Sequence, residues 1–213
     1  MLSLMSTKVH SRAGYVLAGG KSSRMGVNID KAFLEIGGQT LLERAVSVVG
    51  LVCGEVAVVG DPAKFGTKFG AVGMVVADIF PGCGPLGAIH AALVHSSAEL
   101  NLMLAVDMPF VSREVLAFLF AVAEDEGNHA IVTVPQIGKG LQPLCAVYRR
   151  EFAVVAEQAL REGKYKIDAA FSSVSTRVIE ESEVAASGFS ERNFFNMNTP
   201  QDCLAAEDGD RPR

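Results

Sequence analysis

No two of the four cysteines in this 213-residue chain are spaced as CxxC, and no uninterrupted apolar run approaches the ~20 residues that a membrane span requires. Cys53, Cys83, Cys145 and Cys203 lie far apart, which argues against a disulfide framework and a thiolate metal site and suits a reducing cytosol. The first twelve residues lack the continuous apolar core of a secretory signal, so a cytoplasmic protein with no membrane segment is expected. Histidine is scarce too. His90 and His95 would stand about 140° apart on a helix of ~3.6 residues per turn and so share no metal-binding face, while His10 and His129 fall in loops. No Ser-His-Asp or Cys-His arrangement can be assembled, so a nucleophilic side chain is not expected. Positive charge is also short: 19 Lys and Arg stand against 24 Asp and Glu, and the net charge of -5 argues against an electrostatic nucleic-acid binder.

What is present is an ordinary globular composition, 49% apolar and 20% charged, in a length that suits one domain with a sizeable core. Residues 13–206 are expected to form it, between flexible ends at 1–12 and 207–213. Short apolar runs alternate with helix-length amphipathic segments, the pattern of an α/β fold: a single three-layer Rossmann-like domain, its mostly parallel central sheet flanked by helices. Strands are predicted at 15–18, 56–60, 74–77, 102–106, 130–134, 146–148 and 177–179, and helices at 41–49, 86–94, 113–124, 151–161, 166–171 and 201–207. The first four strands are rich in Val, Leu and Met without clean alternation, as expected where both faces are buried. In such sheets ligands collect beyond the carboxyl ends of the strands. The glycines after residue 18, Asp78 and Asp107 each follow a predicted strand.

The stretch VLAGGKSSRMG at 16–26, followed by Asp30 and Lys31, carries the strongest chemical signal. Gly19 and Gly20 let the backbone turn with its N–H groups facing a phosphate. Lys21, Arg24 and Lys31 bring positive charge to the same stretch, and an arginine can grip two oxygens at once. A glycine turn followed by solvated cations is the bland alternative. The stretch is not a P-loop, because Gly14 sits one residue too early for Gly20, Lys21 and Ser22, and the GxGxxG fingerprint is absent. Asp107, between an apolar run and Met-Pro-Phe, could hold Mg²⁺, which binds through one or two carboxylates plus substrate phosphates; it could equally cap a turn. Asp78 precedes a loop bent by Pro81 and Pro85 and eased by Gly82 and Gly84. Its carboxylate suits the adjacent N1–H and amine donors of guanine, or a ribose hydroxyl. Thr199, Pro200, Gln201 and Asp202 read as the start of a helix, a grammar that does not need Asn196 or Asn198.

LAGGKSSRMG with DKAFLEIGG, then GCGPLGAI at 82–89, AVDMPF at 105–110, LQPLCAVY at 141–148 and FFNMNTPQD at 194–202 occur in one order over most of the chain. That series resembles the molybdenum cofactor guanylyltransferase family of the NTP-transferase superfamily. Val27, Asn28 and Ile29 lengthen the segment before Lys31 relative to the family, which leaves the reach of Lys31 for the structure to decide. The resemblance implies transfer of GMP from GTP to molybdenum-molybdopterin with release of pyrophosphate, assisted by Mg²⁺, and delivery of the product to molybdoenzymes or their chaperones. It implies GTP contacts at Leu17, Ala18, Gly19, Gly20, Lys31, Asp78, Pro85, Leu86 and Asp107. Catalytic roles go to Arg24, Lys31 and Asp107, the metal to Asp107, and the acceptor side to Gln142, Asn196 and Asn198. Cytidylyl transfer to the same cofactor is the nearest alternative, disfavoured by Gly19 where the related cytidylyltransferases carry alanine. A non-catalytic nucleotide- or pterin-binding protein of the same fold is another.

Overall fold

The computed structural model describes residues 11–19, 30–69, 74–198 and 202. Its main sheet runs in the order β5 (Met74–Val76), β4 (Glu55–Val59), β1 (Arg12–Leu17), β6 (Leu100–Ala105), β9 (Cys145–Arg149), β7 (Val132–Ile137) and β10 (Thr176–Ile179). A short β8 (Gly140–Leu141) pairs with β7, and β2 (Glu35–Ile36) with β3 (Gln39–Thr40) forms a separate hairpin. Pairing is parallel between β1 and both its neighbours, between β4 and β5, and between β7 and β10. Among the described strands of this sheet only β9 and β8 run against the rest. The expected mostly parallel α/β sheet is therefore what the chain forms.

Alternation along the strands explains the layers. Val16 on β1 and Leu102 and Leu104 on β6 join one core with Leu42 and Val49 of α1 (Leu41–Gly50) and Leu116 and Phe120 of α4 (Arg113–Glu124). Tyr15 and Leu17, Met103 and Tyr148 face the other way. They pack with Ile89 and Leu93 of α3 (Pro85–His95) and with Phe152 of α5 (Phe152–Arg161). Both faces are apolar, which is why these strands read as near-continuous apolar runs. The remaining helices are α2 (Pro62–Phe69), α6 (Ile167–Phe171) and α7 (Glu181–Ala186). Among the described residues no helix is long and apolar enough to cross a membrane.

Several elements depart from the expectations. Arg12, placed in the N-terminal extension, opens β1: its Nε donates to Glu124 Oε1 at 2.7 Å while the guanidinium lies 4.6 Å from the centre of the Phe120 ring. β7 continues through Pro135 to Ile137, whereas the expected strand stops at Val134. Pro135 is tolerated because β9 pairs only with Val132 and Thr133 and needs no N–H beyond them. The hairpin turns on Gly37 and Gly38, both at positive φ (59° and 80°), the two-residue turn that glycine pairs favour. α2 and α7 were not anticipated. Of the helix expected at 201–207, only Asp202 lies within the described residues, and it is helical.

β1 can approach α1 only because Gly14 has no side chain. A β-carbon there would meet Val49 Cγ1 at 2.1 Å and Cys53 Sγ at 3.0 Å. Gly14→Ala should therefore lower stability by about 1–3 kcal/mol through overpacking, read as a lower denaturation midpoint with an unchanged urea m-value.

Candidate active site at the carboxyl edge of the sheet

Because β5, β4, β1 and β6 are parallel neighbours, the segments that leave their carboxyl ends emerge along one edge. Hydrogen bonds extend the ladder past the strands themselves. Ala18 N donates to Val59 O at 3.0 Å, Gly60 N to Val76 O at 3.0 Å and Val106 N to Leu17 O at 3.2 Å. Gly19 after β1, Asp107 after β6 and Asp78 after β5 thus share an edge, as expected. At ~4.8 Å per strand step, Asp78 and Asp107 leave the sheet about 14 Å apart with the β1 glycine between them, a span that an extended nucleoside triphosphate covers. Gly20 and Arg24 lie outside the described residues.

Lys31 reaches this edge from a 3₁₀ turn, Lys31–Phe33, whose N-cap Asp30 accepts from Ala32 N at 3.2 Å. Its Nζ donates to Asp107 Oδ2 at 3.0 Å, to Met197 O at 2.8 Å and to Asn198 Oδ1 at 3.0 Å. The lengthened segment before it has not kept it from the carboxylate. The turn is anchored from α2, where Lys64 is ion-paired with Asp30 and Phe65 packs on Phe33 with ring centres 5.8 Å apart. Burial lowers the pKa of Lys64. Lys64 went unnoticed in the sequence because α2 did, and no motif points to it.

The C-terminal segment crosses the same corner. Met197 N donates to Asp107 O at 2.8 Å, and the fully buried Met197 side chain pins the segment to the core. Asn198 is exposed and its N donates to Asp202 Oδ2 at 2.7 Å, so Asp202 does reach back, one residue before the expected cap. Asn196 Nδ2 donates to Phe194 O at 3.3 Å. Gln142 comes near for a topological reason. β9 runs antiparallel to β6, so its entry loop lies at the carboxyl end of β6, where Ala105 N donates to Leu144 O at 2.7 Å. Tyr148 Oη donates to Pro143 O at 2.7 Å and ties that loop to the core. Lys31, Asp107 and Asn198 are thus in contact, Asn198 Nδ2 donates to Asn196 O at 3.4 Å, and Gln142 lies on the entry loop of β9.

At the far corner, Asp78 Oδ1 accepts from Phe80 N at 3.0 Å. Burial raises the Asp78 pKa, while that hydrogen bond and the nearby His90 act against the shift. Gly82 and Gly84 take positive φ (80° and 71°), and Pro85 opens α3 at its first position. Leu86 is fully buried and Leu17 nearly so, which leaves their backbones rather than their side chains for a ligand. Phe80 packs edge-on against buried His90 at 5.1 Å, with the Arg161 guanidinium 5.9 Å from the ring centre. Neither His90 nitrogen has a hydrogen-bond partner among the described residues, and Glu157 Oε2 stands 4.0 Å from Nε2.

Among the described residues no group of three or more His, Cys, Asp or Glu side chains could cage a metal. A single carboxylate at a strand end, beside the space expected for phosphates, nevertheless fits Mg²⁺, which keeps water and phosphate oxygens as most of its ligands.

A family model described as the MobA-like NTP transferase domain matches residues 14–176. A probable molybdenum cofactor guanylyltransferase of Pelotomaculum thermopropionicum is 37% identical over 193 residues, covering 91% of this chain and 90% of that one. The molybdenum cofactor guanylyltransferase of Desulfosudis oleivorans is 33% identical over 91% of this chain and 93% of its own. Among solved structures, molybdopterin-guanine dinucleotide biosynthesis protein A from Archaeoglobus fulgidus superposes with a TM-score of 0.79 at 27% identity, covering 92% of this chain and 97% of that one.

His90 also makes a stability prediction. Burial lowers its pKa below the ordinary 6.5, with Glu157 and Asp78 opposing and Arg161 assisting the shift. The imidazole therefore favours folding fully above about pH 6.5, and this contribution is lost as pH falls toward the depressed value, because the unfolded chain takes the proton first. Denaturant midpoints at about pH 7.5 and 5.5 should show a larger acid loss in the natural protein than in His90→Leu.

Proposed function

Since the chain belongs to the MobA-like NTP transferase family and is a nucleotidyltransferase, we propose that it transfers GMP from GTP to the terminal phosphate of molybdenum-molybdopterin. The acceptor phosphate oxygen forms a bond to the α-phosphorus of GTP, the bond from that phosphorus to the α,β-bridging oxygen breaks, and pyrophosphate leaves with the electron pair. The acceptor supplies the nucleophile, so the protein aligns two anions and neutralises the charge that gathers between them. The observation that carries this reading is the meeting of Lys31, Asp107 and Asn198 at one strand end.

Gly19 and Gly20 are assigned to the phosphate cradle through their backbone N–H groups. Arg24 and Lys31 are assigned to charge stabilisation, Lys31 exchanging Asp107 for the phosphates as the nucleotide enters. Asp107 would hold Mg²⁺ together with the phosphates, and the ion would supply positive charge that draws electron density off the phosphate oxygens. Asp78, with the start of α3 at Pro85 and Leu86, takes the nucleoside, while Gln142, Asn196 and Asn198 face the pterin acceptor. The non-catalytic reading is set aside, because the chain belongs to an enzyme family and retains Lys31, Asp78 and Asp107.

Purified protein given molybdenum-molybdopterin, Mg²⁺ and GTP with CTP in competition should yield the guanine dinucleotide, identified by mass. A cytosine dinucleotide as the main product would favour the alternative base. Lys31→Ala and Asp107→Ala should each lower turnover by about 10²-fold or more while melting close to the natural protein. Near-normal transfer by either variant would remove its assigned role.

A further inference from the structure

Lys31 opens a turn of only three residues, and so short a 3₁₀ turn has few hydrogen bonds of its own to hold its direction. Phe33 N donates to Asp30 O at 3.0 Å, Leu34 N to Lys31 O at 3.1 Å and Ala32 N to Asp30 Oδ1 at 3.2 Å. Ala32 is fully buried and fixes the inner side of the turn. The outer side is held from α2: Asp30 Oδ2 is buried, and the cation paired with it is the Lys64 ammonium.

α2 is itself seated firmly enough to serve as an anchor. Asp61 Oδ1 accepts from Ala63 N at 2.9 Å, and Asp61 O accepts from Lys64 N at 3.1 Å and from Phe65 N at 3.0 Å. Phe65 is fully buried against Gly60, where a β-carbon would meet its ring at 2.6 Å, and it also packs on Phe33 of the Lys31 turn. The Lys64 ammonium lies 4.9 Å from the centre of that Phe65 ring. Without it, Oδ2 is a buried charged oxygen with no counter-ion, and the carboxylate gains by rotating out to water. Such a rotation takes Oδ1 away from Ala32 N, and the residue between Asp30 and Ala32 is Lys31.

We propose that Lys64 is a positioning residue for nucleotidyl transfer: acting through Asp30, it fixes the turn that carries Lys31 and so sets where the Lys31 ammonium meets the phosphates. This rests on reading Lys31 as the phosphate cation.

The test is steady-state transfer by the full chain with GTP, Mg²⁺ and molybdenum-molybdopterin, alongside thermal melting. Lys64→Met keeps the apolar stem against Phe65 and removes the charge; it should lower kcat about tenfold or more, move KM for GTP far less, and melt close to the natural protein. Lys64→Arg keeps a cation and should recover most of that loss. Asp30→Asn keeps an oxygen for Ala32 N, breaks the ion pair and leaves α2 untouched, so it reads the same pair even if the methionine variant fails to fold. It should lower kcat to a similar level, and combining it with Lys64→Met should add little. In a Lys31→Ala background Lys64→Met should add nothing. Near-normal kcat in Lys64→Met or Asp30→Asn, an arginine variant no better than the methionine one, or an undiminished loss from Lys64→Met in the Lys31→Ala background overturns the proposal. If Lys31→Ala alone turns over normally, the reading of Lys31 falls and the proposal with it. If Lys31→Ala is inactive and Lys64→Met is not impaired, only the role of Lys64 falls.

Discussion

Lys31 enters the sheet edge from a three-residue turn and meets three oxygens there: a carboxylate at the end of β6, a backbone carbonyl and an asparagine oxygen of the C-terminal segment. The acceptors come from positions more than seventy and more than one hundred and sixty residues away in sequence. The lysine is about 17% exposed and the carboxylate about 20%, so neither is fully desolvated, and the cost of bringing the charges together is moderate. A fully buried pair would be locked. A fully exposed one would be screened to little effect. Partial burial keeps the ammonium both positioned and able to change partners.

The topology of the sheet supplies the surroundings. Four parallel strands deliver Gly19, Asp78 and Asp107 to one edge, and the reversal at β9 brings the Gln142 loop to the same edge from the opposite direction. The segment through Met197 closes the corner by backbone hydrogen bonding to Asp107 and by burial of one side chain. The two halves of the cleft differ in construction. The half proposed for the nucleotide is strand ends and a helix start; the half proposed for the acceptor is loops held by a few hydrogen bonds.

Much of this was legible in the residues, for physical reasons. Strands buried on both faces announce themselves as apolar runs, and a carboxylate or glycine placed just past such a run must emerge at the sheet edge, which located Gly19, Asp78 and Asp107. The contact between Lys31 and the C-terminal segment was not legible, since no local pattern encodes which distant carbonyl a lysine will meet. α2 escaped because eight residues with a glycine and a proline carry little helical signal, and Lys64 with its hold on Asp30 escaped with it. The burial of His90 was likewise hidden: one imidazole on an otherwise apolar helix gives no sign of whether it will find a partner.

β1 is hydrogen-bonded to a parallel neighbour on each side along nearly its whole length. Its backbone is therefore tied into the sheet on both sides, whereas the segment at 194–198 is held by the hydrogen bond from Met197 N to Asp107 O and by the buried side chains of Phe194 and Met197. Loss of the Met197 side chain would therefore loosen the Asp107 corner while leaving β1 seated between its two neighbours.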